Sequence, residues 1–220
     1  PDNATINSLF DWHQQNGTTF YLYRASGTKL YHSIQGTGTW TLSGNGTITN
    51  GSSVGYGVLA NTLIVGDGLG STRHSTNGTS FTNTTLAPAA SQFAEYKGRI
   101  YAMGGSAFTY SVANDATNWA ISGTSDSASV VVPGAGNLNA MFKAADRLIL
   151  NKNSGKMYRW DGYNLYDLAT KLGATAGRSI GSVEDYRFYL NRMGYFGFNG
   201  DRPEIISFSV WLSAIALSST

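Results

Sequence analysis

The sequence predicts an all-β chain, read as a β-propeller of five blades with four antiparallel strands each. Composition, turn punctuation and a repeat near 42 residues carry that reading. Thr, Ser, Asn and 27 Gly dominate the 220 residues, with thirteen Tyr, ten Phe and five Trp set among them, a mixture that suits pleated sheet joined by tight turns. No stretch carries the 3.6-residue apolar spacing of a sizeable amphipathic helix.

The clearest unit is residues 138–168. It reads as LNAMFK, a polar turn at 144–146, RLILNK, a turn at 153–155, KMYRW, the Asp161-Gly162 turn and NLYDL. Asp-Gly between two apolar runs is a hairpin signal, because Gly supplies the positive φ that type I′ turns need. Four strands in a row form a meander, and so short a meander needs neighbours of its own kind to cover its faces.

Those neighbours are legible in chain order. Leu148, in the second strand of this unit, has counterparts at Phe20, Leu63, Ile100 and Phe188, each in a short apolar run after Thr or Arg. The five anchors are separated by 43, 37, 48 and 40 residues. Leading strands fall at 9–12, 54–59, 92–96, 138–142 and 179–183. Third strands fall at 29–33, 71–75, 107–111, 156–160 and 194–198, and closing strands at 40–42, 80–82, 119–121, 165–168 and 204–206. The predicted blades are 8–50, 53–86, 91–123, 138–170 and 179–212 of a single domain spanning 1–220. Either 208–212 or 4–9 supplies a closing strand. Radial repetition of this kind leaves only short sheet edges. A β-sandwich with irregular strands is the alternative architecture.

Charge excludes some functions. A net charge of +2 with dispersed Arg and Lys gives no electrostatic nucleic-acid surface. The absence of cysteine removes disulfides and thiolate metal sites. The one long apolar run, 208–217, is half of a membrane span. Pro1 is what remains when an initiator Met is removed before a small residue, and equally the edge of a longer chain.

Chemical motifs resolve into turns. Gly51-Ser52-Ser53-Val54-Gly55 matches a nucleophile elbow in letters, but a strand follows it where the elbow needs a helix. Ser26-Gly27-Thr28-Lys29 matches S-x-x-K yet sits at a hairpin. His13, His32 and His74 lack ligand spacing, and His32 and His74 occupy the same slot of successive repeats. The segment 66–70, GDGLG, lacks the helix of a dinucleotide loop. Asp67, Asp161 and Asp201 each adjoin Gly in turns, so no glycosidase carboxylate pair is nominated. The expectation is no enzyme, with no catalytic residue, cofactor or metal. Sequons at Asn3, Asn16, Asn45, Asn50, Asn77 and Asn83 read as turns more than as glycosylation sites. The segment 75–81, STNGTSF, resembles the Asp-box turn of sialidase propellers, which is a structural turn.

Several phrases together resemble a β-propeller family of bacteriophage and prophage tail proteins, of nozzle or hub type. They are Pro88-Ala89-Ala90 leading to FAEYKGRIY at 93–101, Tyr110-Ser111 with DATNW at 115–119, residues 138–150 and Met157-Tyr158 with Trp160-Asp161-Gly162. Gly177-Arg178-Ser179, GYFGFNG at 194–200 and RPEIIS at 202–207 complete them. Ala116 departs from the pattern, where proline is expected. The resemblance implies a virion building block of the tail nozzle, hub or head-to-tail connector region, made in the bacterial host cytoplasm. It implies other tail proteins as partners and a homo-oligomer, with a six-fold ring as one form. The alternative is a glycan-binding propeller module that adheres to the host surface, with Trp40, Trp119 and Trp160 as candidate glycan or partner contacts.

Overall fold

The computed structural model describes residues 5–15, 18–49, 53–122, 126–183 and 186–207. Twenty strands there form five separate four-stranded antiparallel sheets, each a meander of consecutive strands. The chain divides into two compact units, residues 1–131 and 132–220.

The first unit holds three sheets. Sheet one is β1 (Ile6–His13), β2 (Phe20–Ser26), β3 (Lys29–Ile34) and β4 (Thr41–Thr47). Sheet two is β5 (Gly55–Leu59), β6 (Thr62–Gly66), β7 (Arg73–Ser75) and β8 (Thr82–Asn83). Sheet three is β9 (Phe93–Tyr96), β10 (Arg99–Gly104), β11 (Ala107–Tyr110) and β12 (Ala128–Val131). Period-2 alternation explains the packing of β6, whose apolar run is buried throughout. Its Leu63 and Val65 join Phe10, Trp12, Tyr23 and Leu30 of sheet one in one core cluster. Its Ile64 points the other way, into a cluster with Phe93, Ile100 and Ala102 of sheet three.

Polar turns lock these sheets together. Between β7 and β8, the Asn77 side-chain oxygen accepts from the N–H groups of Thr79 and Ser80, each at 3.0 Å. The Ser75 hydroxyl accepts from Gly78 N–H at 3.0 Å. Tyr21 and Tyr23 of sheet one then donate to the carbonyls of Asn77 and Gly78 at 2.9 and 2.7 Å. Gly78 is required twice over: its φ is +80°, and a Cβ there would lie 2.2 Å from the Tyr21 ring. Glycosylation of Asn77 would compete with this turn. Asn3, Asn16 and Asn50 lie outside the described residues.

The second unit holds β13 (Leu138–Ala144), β14 (Arg147–Lys152), β15 (Met157–Trp160) and β16 (Leu165–Asp167), followed by β17 (Gly181–Val183), β18 (Tyr186–Asn191), β19 (Gly194–Phe198) and β20 (Pro203–Ser207). Ala140, Phe142, Ile149 and Met157 of the fourth sheet pack on Tyr189, Phe196 and Phe198 of the fifth. Tyr189 stacks on Phe196 with ring centroids 5.9 Å apart, and Phe142 meets Phe198 edge-on at 6.3 Å.

All five anchors, Phe20, Leu63, Ile100, Leu148 and Phe188, lie on the second strand of their sheets. In sheets one and five, however, the buried residue is the next one along, Tyr21 or Tyr189, while Phe20 and Phe188 are half-buried. One expectation is corrected. Residues 119–121 do not close sheet three; Ala128–Val131 does, pairing Ala107 with Val131 and Tyr110 with Ala128. The reason is local. Asp115 accepts from Thr117 N–H at 2.9 Å, and the Trp119 indole donates to the Ala116 carbonyl at 2.9 Å. This coils the segment and sinks Trp119 into the core beside Ile100. Blade three therefore extends beyond 123 to Val131. The closing segment 208–212 and residue 4 lie outside the described residues.

Leu148 has 0% exposure between two strand partners, so Leu148→Ala leaves a cavity. It is expected to lower unfolding free energy by about 2–5 kcal/mol in urea titrations, whereas Leu69→Ala, at an exposed turn, changes it by less than about 0.5 kcal/mol.

Candidate functional site

The connector between the fourth and fifth sheets, residues 168–180, has only one turn of 3-10 helix, Gly177–Ser179. Its backbone polar groups therefore need partners from elsewhere. Asparagine side chains on the flanking strands supply several. Asn151 donates to the Ala174 carbonyl at 2.8 Å, Asn139 to the same oxygen at 3.1 Å and Asn191 to the Gly173 carbonyl at 2.6 Å. Tyr189 donates to the Leu172 carbonyl at 2.9 Å, and burial pushes its phenol well above the usual range. Gly173 N–H donates to Gly155 and Thr175 N–H to Leu190, both at 3.0 Å. Gly177 permits the closest approach, since a Cβ there would fall 1.5 Å from the Asn139 carbonyl oxygen.

This pinned connector forms one wall of a cleft of about 390 Å³. The β14–β15 turn, Asn153, Ser154 and Gly155, forms another, and the β18–β19 turn, Arg192 and Met193, a third. Lys171 and Arg192 are exposed on its rim, and none of its lining residues is acidic. The cleft thus offers two cations, hydroxyls and an amide on a rigid backbone. A second hollow of about 470 Å³ adjoins it through Thr175, Asn191 and Arg192, and adds Leu190.

A buried ammonium braces the strand below. Lys152 has 0% exposure, and its Nζ donates to the carbonyls of Val132, Pro133 and Gly134 at 2.8, 3.1 and 2.6 Å. Three donors meet three acceptors, and Tyr158 adds a fourth bond to Pro133 at 2.8 Å. Burial, and secondarily the Lys156 charge, pull its pKa below the usual lysine range.

The residues singled out from sequence are scattered and structurally committed. Trp119 and Trp160 are 1% and 5% exposed, which corrects the expectation that they stack on sugars. Each ring is sunk into sheet packing. Trp40 is half-buried, and the Arg24 guanidinium lies 5.1 Å from its ring centre and 4.7 Å from that of Tyr31. A sugar would have to compete with that cation. Burial acts to raise the Asp67 pKa, but N–H donors from Gly70, Thr49 and Leu69 outweigh it and hold the carboxyl below its usual range. Asp161 accepts from Asn164 and Tyr163 N–H in its turn, and Asp201 pairs with Arg147 at 2.7 Å. Gly27 turns the β2–β3 hairpin with φ +58°, and Gly51 and Ser52 lie outside the described residues.

His32 and His74 do occupy equivalent slots. Each Nδ1 meets a hydroxyl at 3.0 Å, from Ser43 and Thr84 respectively. Among the described residues no group of three His, Cys, Asp or Glu is placed to hold a metal ion.

No family model matches the chain, and no curated protein matches it in sequence. Solved structures do. PorZ, a surface component of the type-IX secretion system of Porphyromonas gingivalis, matches with TM-score 0.63 and 13% identity over 94% of this chain and 28% of that one. YCF48 from Cyanidioschyzon merolae matches with TM-score 0.61 and 13% identity over 95% and 73%. A chain of a nidogen/laminin complex matches with TM-score 0.58 and 14% identity over 91% and 78%. The fold is a β-propeller. Its five blades are the five sheets, and the chain spans about 28% of the length of PorZ. At these identities the likeness carries the fold alone.

Burial lowers the pKa of His32, and of His74, where the Asp115 charge opposes it in part. Both are therefore neutral in the folded state where the unfolded chain, with a pKa of 6.5, begins to take up protons. Their stabilisation is full above that value and is lost as pH falls through the lowered folded values. Urea midpoints are expected to fall between neutral and acidic pH, and the His32→Gln/His74→Gln double variant flattens that slope. Lys152→Met should cost about 1–3 kcal/mol in the same titration, because the buried Val132 carbonyl is deprived of its donor.

Proposed function

We propose that the chain is a non-catalytic structural component of a tailed-bacteriophage virion, in the tail nozzle, hub or head-to-tail connector region, acting through protein–protein assembly. The observation that carries assembly is the open face of the fifth blade. Register places Val183, Tyr186, Phe188, Leu190 and Tyr195 on one side of β17–β19, opposite the covered Tyr189, Phe196 and Phe198. Ile206 of β20 joins them, its Cδ1 lying over Gly197. All but the half-buried Phe188 are exposed, and Tyr186 stacks on Phe188 with centroids 6.3 Å apart.

An apolar sheet face of this size on a soluble surface marks a place of protein contact. Its composition matches the faces that are covered between blades elsewhere in the chain. The phrases at 93–101, 138–150 and 194–207 support the placement in a phage tail by resemblance. The tail location, the other tail proteins as partners and the ring-forming homo-oligomer belong to this reading.

Mass spectrometry of purified particles from the producing strain is expected to find the protein at a fixed ratio to the other tail proteins. Native mass measurement should then give an oligomer. A protein missing from intact particles overturns the proposal.

A further inference from the structure

The cleft between the β14–β15 turn, the 171–175 connector and the β18–β19 turn has no part in that assembly reading. We propose that it is a binding site for an acidic saccharide, a short chain of carboxylate-bearing sugar residues of the uronic-acid type.

Preorganisation is the first ground. Cleft walls made of irregular backbone usually move, and a moving wall loses binding free energy to ordering. Here the carbonyls of Leu172, Gly173 and Ala174 are each held by a Tyr or Asn side chain, and the N–H groups of Gly173 and Thr175 by backbone carbonyls. Asn139 and Asn151 are themselves joined by a side-chain hydrogen bond. The wall exists before any ligand arrives.

Charge is the second. Lys171 of the connector and Arg192 of the β18–β19 turn both line the cleft, with no acidic residue among the lining. Two other surface cations of this unit are paired: Lys156 with Asp167 at 2.9 Å and Arg147 with Asp201 at 2.7 Å. Neither Lys171 nor Arg192 has an anionic partner among the described residues. Two cations facing one cleft select a carboxylate over a neutral ligand, and arginine adds a planar fork that matches it.

The remaining lining distinguishes a sugar from a bare anion. Ser154, Thr175 and Asn153 offer hydroxyl and amide groups of the kind that pair with sugar hydroxyls. The adjoining hollow at Leu190 offers an apolar surface to the C–H face of a neighbouring ring. The two hollows share Thr175, Asn191 and Arg192, so the occupant is longer than one sugar residue. This is a different place from the tryptophans considered from sequence. The proposal stands whether or not the protein is a virion component.

The test is titration of the full chain with trigalacturonate, maltotriose and triglutamate, followed by calorimetry or ligand-observed NMR. Because both cations are exposed, binding should be weak and salt-sensitive. Trigalacturonate is expected to bind at least about tenfold more tightly than either comparison ligand. Lys171→Glu/Arg192→Glu should weaken it by about tenfold or more with an unchanged urea midpoint, and Lys171→Arg should retain it. Equal binding of maltotriose removes the role of charge, and equal binding of triglutamate makes the site an acidic-peptide site. Either result overturns the proposal, as does no binding of trigalacturonate at about 10 mM, or full binding by a double variant that remains folded.

Discussion

Everything in this chain depends on the inability of a four-stranded meander to stand alone. Each sheet is too small to keep water from both of its faces, so each must lay an apolar face on a neighbour. β6 shows the constraint at its sharpest: alternate residues of one five-residue strand serve two different cores. Burying an aliphatic side chain is worth about 1.5–3 kcal/mol. A strand used on both faces therefore contributes about twice as much per residue ordered as a strand used on one.

Apolar faces are non-directional and leave the sheets free to slide. Register comes from polar groups placed where the sheets meet. Tyr21 and Tyr23 reach from sheet one to the carbonyls of the Asn77 turn, and Gly44 of β4 exchanges backbone hydrogen bonds with Thr79 and Phe81 of that segment. Arg99 does the corresponding work within sheet three. It binds the Ser111 carbonyl at 2.9 Å, the Asp126 carbonyl at 2.8 Å and the Asp126 carboxylate at 2.5 Å, fixing the approach to β12. Lys152 does it at the entry to the fourth sheet, where a tetrahedral ammonium suits three converging carbonyls better than any neutral side chain could. Each device satisfies backbone groups that irregular chain would otherwise bury unpaired.

The sheets were legible in the sequence because their signals are local. Alternation of apolar residues and the Asn-Gly and Asp-Gly turns sit within a few residues of one another, so every second strand was located. Trp119 misled for the same reason: Trp-Ala-Ile reads as a strand, and only the Asp115 and Ala116 contacts reveal a coiled turn. The cleft was not legible. Its walls are made by contacts of Asn139, Asn151 and Asn191 with residues 35, 23 and 18 positions away. One signal was available: an asparagine in the apolar strands at 139 and 151 is costly in a covered sheet unless it binds something fixed.

That signal separates two kinds of sequence constraint. In the sheets the requirement is apolar character on alternate positions, which many side chains meet. At the connector, Asn139 must be an amide, because its side chain donates to the Ala174 carbonyl and accepts from Asn151, and Asn151 must carry the N–H donors that reach both. Aspartate lacks the donor, and leucine lacks both groups. Lys171 and Arg192 face no such structural demand, since both side chains are exposed and neither has an anionic partner among the described residues. The frame of the cleft is thus fixed by folding while its charged rim is free to be set by what it binds. Exchanging the rim should therefore alter binding without moving the fold, whereas exchanging the amides should disturb the wall and binding together.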